Sequence, residues 1–186
     1  CIRGGPHAEV PALVRLSRAL IAESPNAVRP GILSDPRALW SMLRTVRGDY
    51  RGAYRFAMDL VAATEGTADL NNHAAGLWMA ASAAFRACEF DWVTNDPAVP
   101  YSWNGHCVEL PGEFSIAQVR DLLARAESAL DQTGDRWLRS NLEIELGLVT
   151  ELDDRAASTA HFERACELRE AFNDRDGLAV ATVYLA

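Results

Sequence analysis

The residues best suited to binding chemistry are concentrated in residues 95–113 and just before that segment. Trp92, Tyr101, Trp103 and His106 supply three large rings and an imidazole in a region that is also rich in proline. Aromatic side chains on loops commonly make the central contacts of binding sites. Two roles are open for these rings: they contact a ligand, or they fill the space left by a missing helix. We favour packing and keep the four residues as the candidate binding residues.

Sequence patterns for catalysis or metal binding are absent from the chain. It contains no phosphate-binding glycine loop, dinucleotide fingerprint, zinc-protease motif or serine-hydrolase motif. His106, Cys107 and Cys88 supply at most three soft ligands, and adjacent ligands crowd a tetrahedral ion. Acidic residues such as Glu143 and Glu145 are interpreted as helix-face charges, without a second feature that supports an acid–base pair. We therefore predict no catalytic residue, no metal site and no cofactor.

A helical hairpin between Asn141 and Gly177 is the clearest structural element of the sequence. From Asp154 to Phe172, small or apolar residues recur mostly at spacings of three and four, which places them along one face of a helix. They are Ala157, Ala160, Phe162, Ala165, Leu168 and Phe172. His161 is predicted to be solvated or hydrogen-bonded between helices. Gly147 on the preceding helix allows close approach, and the short acidic turn between the two makes them antiparallel.

The stretch AHFERACELRE, residues 160–170, resembles the second helix of a tetratricopeptide repeat. The resemblance covers one clear unit and one or two weaker ones, and it assigns the packing roles of that helix to Ser158, Phe162 and Ala165. The same stretch and the alanine-rich, lysine-free texture are similar to the repeat regions of large ATP-binding (LuxR/STAND-type) bacterial transcriptional regulators. The resemblance implies a sensor or autoinhibitory segment, with ATPase and DNA-binding domains elsewhere in a longer chain.

Amphipathic helices are predicted over most of the remaining chain. Asp35-Pro36 and Ser115 are helix-start signals, and Gln118 completes a capping box with Ser115. The third repeat helix is predicted over residues 69–89, ending at an acidic turn. The single domain divides into an N-terminal helix and linker (1–34), repeats (35–94), an inserted loop or short β-hairpin (95–114) and further repeats (115–186). The predicted fold is an all-α, right-handed stack of antiparallel helical hairpins, since stacking buries the apolar face of each hairpin.

Composition limits the classes of function. The 186 residues are 49% hydrophobic, enough for one domain with a core. A net charge of −8 argues against direct nucleic-acid binding by this segment, because phosphate neutralisation needs a basic face. No apolar run has the length of a membrane span, about 18 residues. The four cysteines lack paired spacing, which favours free thiols in a reducing compartment. We therefore predict a cytoplasmic protein without membrane association.

The predicted function is that of a non-catalytic module whose concave groove binds a protein or peptide partner, or a small effector. In the setting that the resemblance implies, this module is the regulatory segment of a bacterial transcriptional regulator, and we expect it to be part of a longer chain. The alternative is a small-molecule-binding protein or enzyme with a helical pocket lidded by residues 95–113. A third reading is a dimerisation module that forms a homodimer.

Overall fold

The computed structural model describes residues 35–94 and 114–185, apart from the side chains of residues 89–94. Seven helices and no strand occur in these ranges. They are α1 (Pro36–Val46), α2 (Tyr50–Thr64), α3 (Leu70–Thr94), α4 (Ile116–Leu130), α5 (Arg136–Thr150), α6 (Arg155–Ala171) and α7 (Arg175–Val183). The predicted all-α class is therefore confirmed for these residues. The predicted N-terminal helix in 1–34 and the predicted loop or β-hairpin near 95–113 lie outside them.

Short polar side chains begin each of these helices, as the sequence signals indicate. A side-chain oxygen of the residue before each of the seven helices accepts a backbone N–H of the first turn, which satisfies a donor that has no partner within the helix. These residues are Asp35, Asp49, Asp69, Ser115, Asp135, Asp154 and Asp174. One half of the capping box predicted at Ser115 is present, since the Ser115 hydroxyl accepts the Gln118 backbone N–H at 3.2 Å. The Gln118 side-chain NH2 group donates to the Tyr54 hydroxyl at 2.9 Å.

The third repeat helix is longer than predicted. The acidic turn expected at residues 89–91 is wrong, since α3 continues without a break to Thr94. Residues 89–94 contain neither glycine nor proline. The first strong helix breaker after them is Pro97, and proline disfavours helical geometry at the residue before it. Acidic residues alone therefore do not end a helix in this chain.

The helices pack in the order of the sequence. Each helix contacts the next one along the chain, and α1 also contacts α3, as α3 contacts α5. The larger core cluster spans α1 to α5, and its fully buried side chains include Leu60, Leu77, Leu123, Leu138 and Leu142. A smaller cluster joins α5, α6 and α7 through Ile144, Phe162, Ala165 and Ala181. Helices that are neighbours in sequence therefore provide most of the burial.

The hairpin formed by α5 and α6 shows why close approach matters. A Cβ atom at Gly147 would lie 2.5 Å from the Phe162 ring, so only glycine leaves room for that ring. The Ser158 hydroxyl donates to the Gly147 carbonyl at 2.9 Å, which ties the two helices together where they cross. Ser158 and Phe162 are buried as predicted, whereas Ala160 and Phe172, placed on the same stripe from the sequence, are exposed.

Candidate functional site

The four candidate binding residues chosen from the sequence lie at or beyond the end of α3. Trp92 belongs to the last turns of that helix, and its side chain is not among those described. Tyr101, Trp103 and His106 fall in residues 95–113, outside the described part of the chain. Their role in binding stays a prediction.

A groove of about 470 Å³ lies across α1, α3, α5 and α7. The helices between these four contribute little to it, apart from Arg169 near the end of α6. The groove is lined by Ser41, Met42, Thr45, Val46, Trp78, Met79, Ser82, Arg86, Trp137, Asn141, Ile144, Glu145, Arg169, Asp174, Asp176, Gly177, Val180 and Tyr184. Alternate helices thus present one shared face, which is the site that the described residues offer.

The middle of the groove is formed by α3 and α5, which run in the same direction along it. The Trp78 and Trp137 rings meet edge to face, with centroids 6.4 Å apart. About two turns further along each helix, Arg86 meets Glu145. Two contacts in the same order on both helices establish the parallel direction. The groove therefore has an aromatic level and, beyond it, a charged level.

Glu145 is the acidic residue at the charged level. It is only 4% exposed. Its Oε1 atom accepts a hydrogen bond from the Ser82 hydroxyl at 2.7 Å and a longer one from Arg86 Nη2 at 3.3 Å. Its Oε2 atom is buried and has no hydrogen-bond partner within the described ranges. Because a carboxylate has acceptor sites on both oxygens, half of this group's hydrogen-bonding capacity is unused.

Glu145 is not alone in this respect. Ser41 Oγ, Trp78 Nε1 and Arg169 Nε are also buried without a hydrogen-bond partner in residues 35–94 and 114–185. All three residues line the same groove. Buried polar atoms in native proteins are nearly always paired, and each one left unpaired costs about 1–3 kcal/mol. Asn71 Oδ1, which lies away from the groove, is also buried without a hydrogen-bond partner in the described ranges, but four such atoms line this one face. That grouping favours a surface that receives a polar partner or ordered water.

One end of the groove is fixed by Arg169, a buried residue of α6. Its guanidinium donates to Asp174 Oδ2 at 2.6 Å and to Asn141 Oδ1 at 2.8 Å. A Cβ atom at Gly177 would fall 1.6 Å from Arg169 Nη1, so the absence of a side chain there makes space for the guanidinium. Arg169 therefore joins α5, α6 and α7 at the groove wall.

A second buried glutamate, Glu143, lies two residues before Glu145 on α5 but does not line the groove. Its Oε1 accepts from Arg139 Nε at 2.8 Å, and its Oε2 lies 2.7 Å from His161 Nδ1. Arg139 also donates to Glu127 at 2.6 Å and to Asp131 at 2.9 Å. Burial alone would lower the pKa of Arg139, but the hydrogen bonds and charges of Glu143 and Glu127 outweigh it and raise that pKa. Both carboxylate oxygens of Glu143 therefore have a partner within this cluster.

Sequence reasoning missed the two glutamates, which it interpreted as helix-face and capping charges. The available signal was their setting in the run Leu-Glu-Ile-Glu-Leu, residues 142–146, where each charge stands between apolar residues. The prediction for His161 included hydrogen bonding between helices, and its contact with Glu143 joins α6 to α5. The side chains of Cys88 and Cys166 are half-buried.

Two other kinds of site, a metal centre and a membrane-spanning helix, are absent from the part of the chain that the structure describes. No group of three or more histidine, cysteine, aspartate or glutamate side chains there could hold a metal ion. None of the described helices has both the length and the apolar character needed to cross a membrane. No protein-family model, curated protein or solved structure matches the chain. The groove is therefore the candidate functional site within the described residues.

Proposed function

We propose that the chain is a non-catalytic helical binding module and that the groove across α1, α3, α5 and α7 receives a segment of a partner polypeptide. The proposal includes a tetratricopeptide-like, right-handed stack of antiparallel hairpins. It is supported by the packing of each helix on the next and by the additional contacts of α1 with α3 and α3 with α5. In such a stack, alternate helices line one concave face.

The composition of the groove is the observation that carries this proposal. Unpartnered buried polar atoms line it, and exposed apolar side chains lie beside them: Val46, Val180 and Tyr184. A polypeptide offers both kinds of contact, since its backbone supplies hydrogen-bonding groups and its side chains supply apolar surface. A groove of about 470 Å³ accommodates a few residues of such a segment.

The wider role we propose is that of the sensor or regulatory segment of a bacterial transcriptional regulator. Support comes from the resemblance of residues 160–170 and from the net charge of −8, which suits a segment that does not itself bind DNA. The gene on either side of this segment provides the test. An ATP-binding domain before it and a helix-turn-helix domain after it are expected, and unrelated flanking domains would contradict the assignment.

Peptide selection tests the groove directly. Peptides from a random displayed library are selected on the chain, synthesised, labelled and titrated by fluorescence anisotropy. Two valines of α7 give a matched pair: both are exposed, but Val180 lines the groove and Val183 does not. We expect Val180→Arg to weaken peptide binding about tenfold, the loss of one well-placed apolar contact with added bulk, and Val183→Arg to change it less than about twofold. Equal effects, or no selected peptide, would contradict the proposal.

A further inference from the structure

We infer that the middle of the groove recognises a neutral amide group, with Glu145 Oε2 accepting its N–H and Trp78 Nε1–H donating to its carbonyl oxygen. This inference rests on the proposed function of the groove and specifies the chemistry of one position within it. The two protein atoms have opposite polarity, both are buried, and neither has a partner among the described residues.

The positions of the two atoms suit one ligand. Trp78 and Ser82 are separated by four residues of α3, a rise of about 6 Å. The Ser82 hydroxyl in turn holds the Glu145 carboxylate at 2.7 Å. The unused acceptor on α5 and the unused donor on α3 therefore belong to two helices that run side by side and line the same groove. A group that carries an N–H and a C=O side by side can address both.

Charge favours an amide over an acid or an amine at this position. A carboxylate would meet the buried charge of Glu145, which is unfavourable where water is scarce. An ammonium group would meet Arg86, which already lies 3.3 Å from Glu145 Oε1 and partly neutralises it. An amide supplies the required donor and acceptor without adding a net charge to the groove.

A ligand reaches Glu145 Oε2 and Trp78 Nε1 only when side chains around them move, because both atoms have almost no contact with solvent. Arg86 is one of the side chains next to Glu145: it is 32% exposed, and its Nη2 atom lies 3.3 Å from Glu145 Oε1. Trp78 and Trp137 supply a rigid aromatic wall for the carbon atoms attached to the amide. The same chemistry is offered by an asparagine or glutamine side chain of a peptide and by a small free amide.

The test uses the indole N–H resonances of the ¹⁵N-labelled chain, with Trp78 and Trp137 assigned by Trp→Phe variants. Three probes of matched size are titrated: butyramide, butyrate and butylammonium. We expect butyramide to shift the Trp78 indole N–H saturably and to bind about tenfold more tightly than the other two, the discrimination given by one hydrogen bond to a charged group. Glu145→Gln should weaken butyramide binding about tenfold, and Glu143→Gln, which changes the other buried glutamate, should leave it unchanged.

The source of the amide is distinguished by a second set of probes. A peptide ligand is indicated if acetyl-Ala-Gln-Ala-amide binds at least about tenfold more tightly than butyramide. It should also bind more tightly than the corresponding peptide with Glu in place of Gln. Equal binding of the Gln tripeptide and butyramide indicates a small free amide. Equal shifts by all three small probes, preference for butylammonium, or no shift at all would overturn the inference.

Failure of this inference is separable from failure of the proposed function. If selected peptides bind and respond to Val180→Arg but not to Glu145→Gln, the groove binds polypeptide without the amide position. If Val180→Arg has no effect on them, the proposed function itself fails. Circular dichroism of each variant establishes that it remains folded, so that loss of binding is not loss of structure.

Discussion

Glu143 and Glu145 are two buried carboxylates on one helix that face different surroundings. They are 1% and 4% exposed, so burial does not separate them. Their hydrogen-bond partners distinguish them. Both oxygens of Glu143 have a partner, Arg139 or His161, whereas only Oε1 of Glu145 has one. A buried carboxylate loses several kcal/mol of hydration, and only a full set of partners offsets that loss. Glu143 is therefore a structural contact, whereas one oxygen of Glu145 has no hydrogen-bond partner among the described residues.

The largest loss of stability is expected from replacing Glu143, the glutamate whose two oxygens both have partners. Glu143→Gln removes a charge that pairs with Arg139 and leaves an amide facing His161. The free energy of unfolding should fall by about 2–3 kcal/mol, less than for a fully broken buried pair because Arg139 keeps Glu127 and Asp131. Urea denaturation at neutral pH, followed by circular dichroism, measures it. A loss below about 0.5 kcal/mol would show that this cluster is not structural.

The contact between α5 and α6 gives the next largest effect. Gly147→Ala places a methyl group against the Phe162 ring at 2.5 Å, and overpacking of this kind costs about 1–3 kcal/mol. Phe162→Leu in the same chain should relieve part of the clash, so the double variant should lose less than the sum of the single losses. Additive losses would mean that Gly147 and Phe162 are not in contact. Peptide binding should persist, since neither residue lines the groove.

A third carboxylate, Asp49, is fully partnered but more exposed than either glutamate. Burial alone would raise the pKa of Asp49, but the Gly52 N–H and the Arg44 guanidinium outweigh it and hold that pKa below its ordinary value of 3.8. Its stabilising contribution is therefore complete above about pH 4 and is lost as pH falls through the lowered folded-state pKa.

Asp49→Ala is expected to reduce the free energy of unfolding by about 1 kcal/mol at neutral pH, the usual cost of losing a helix cap. The difference between this variant and the original chain should shrink at pH 3 and below. Thermal unfolding across a pH series measures it. A difference that is constant with pH would mean that the carboxylate charge contributes nothing, and Asp49→Asn provides the control that keeps the cap without the charge.

Sequence reasoning predicted the described helices well because each carries its own local signals. Asp35-Pro36, the cap at Asp49 and the period of apolar residues need no knowledge of distant contacts. The groove could not be predicted in the same way. Glu145 depends on Ser82, which is 63 residues away along the chain, and only packing brings the two together. The sequence prediction chose residues 92–106 because they are rich in aromatic side chains. The unpartnered polar atoms of the groove lie on helices whose sequences carry no signal for binding.

The smallest expected effect on stability is at Glu145, and it is the one that separates the two glutamates most clearly. Glu145→Gln keeps the size of the side chain and an oxygen for Ser82, and it removes a buried charge that has only half its partners. The free energy of unfolding should change by less than about 1 kcal/mol, since neutral replacements of poorly compensated buried charges are often tolerated. Binding of butyramide should nevertheless fall. We expect Glu145→Gln to keep its stability and lose butyramide binding, and Glu143→Gln to lose stability and keep binding. That result would establish that two carboxylates of one helix have different roles. If Glu145→Gln and Glu143→Gln lower the free energy of unfolding equally, the two glutamates are not distinct. There would then be no reason to regard Glu145 Oε2 as a binding atom.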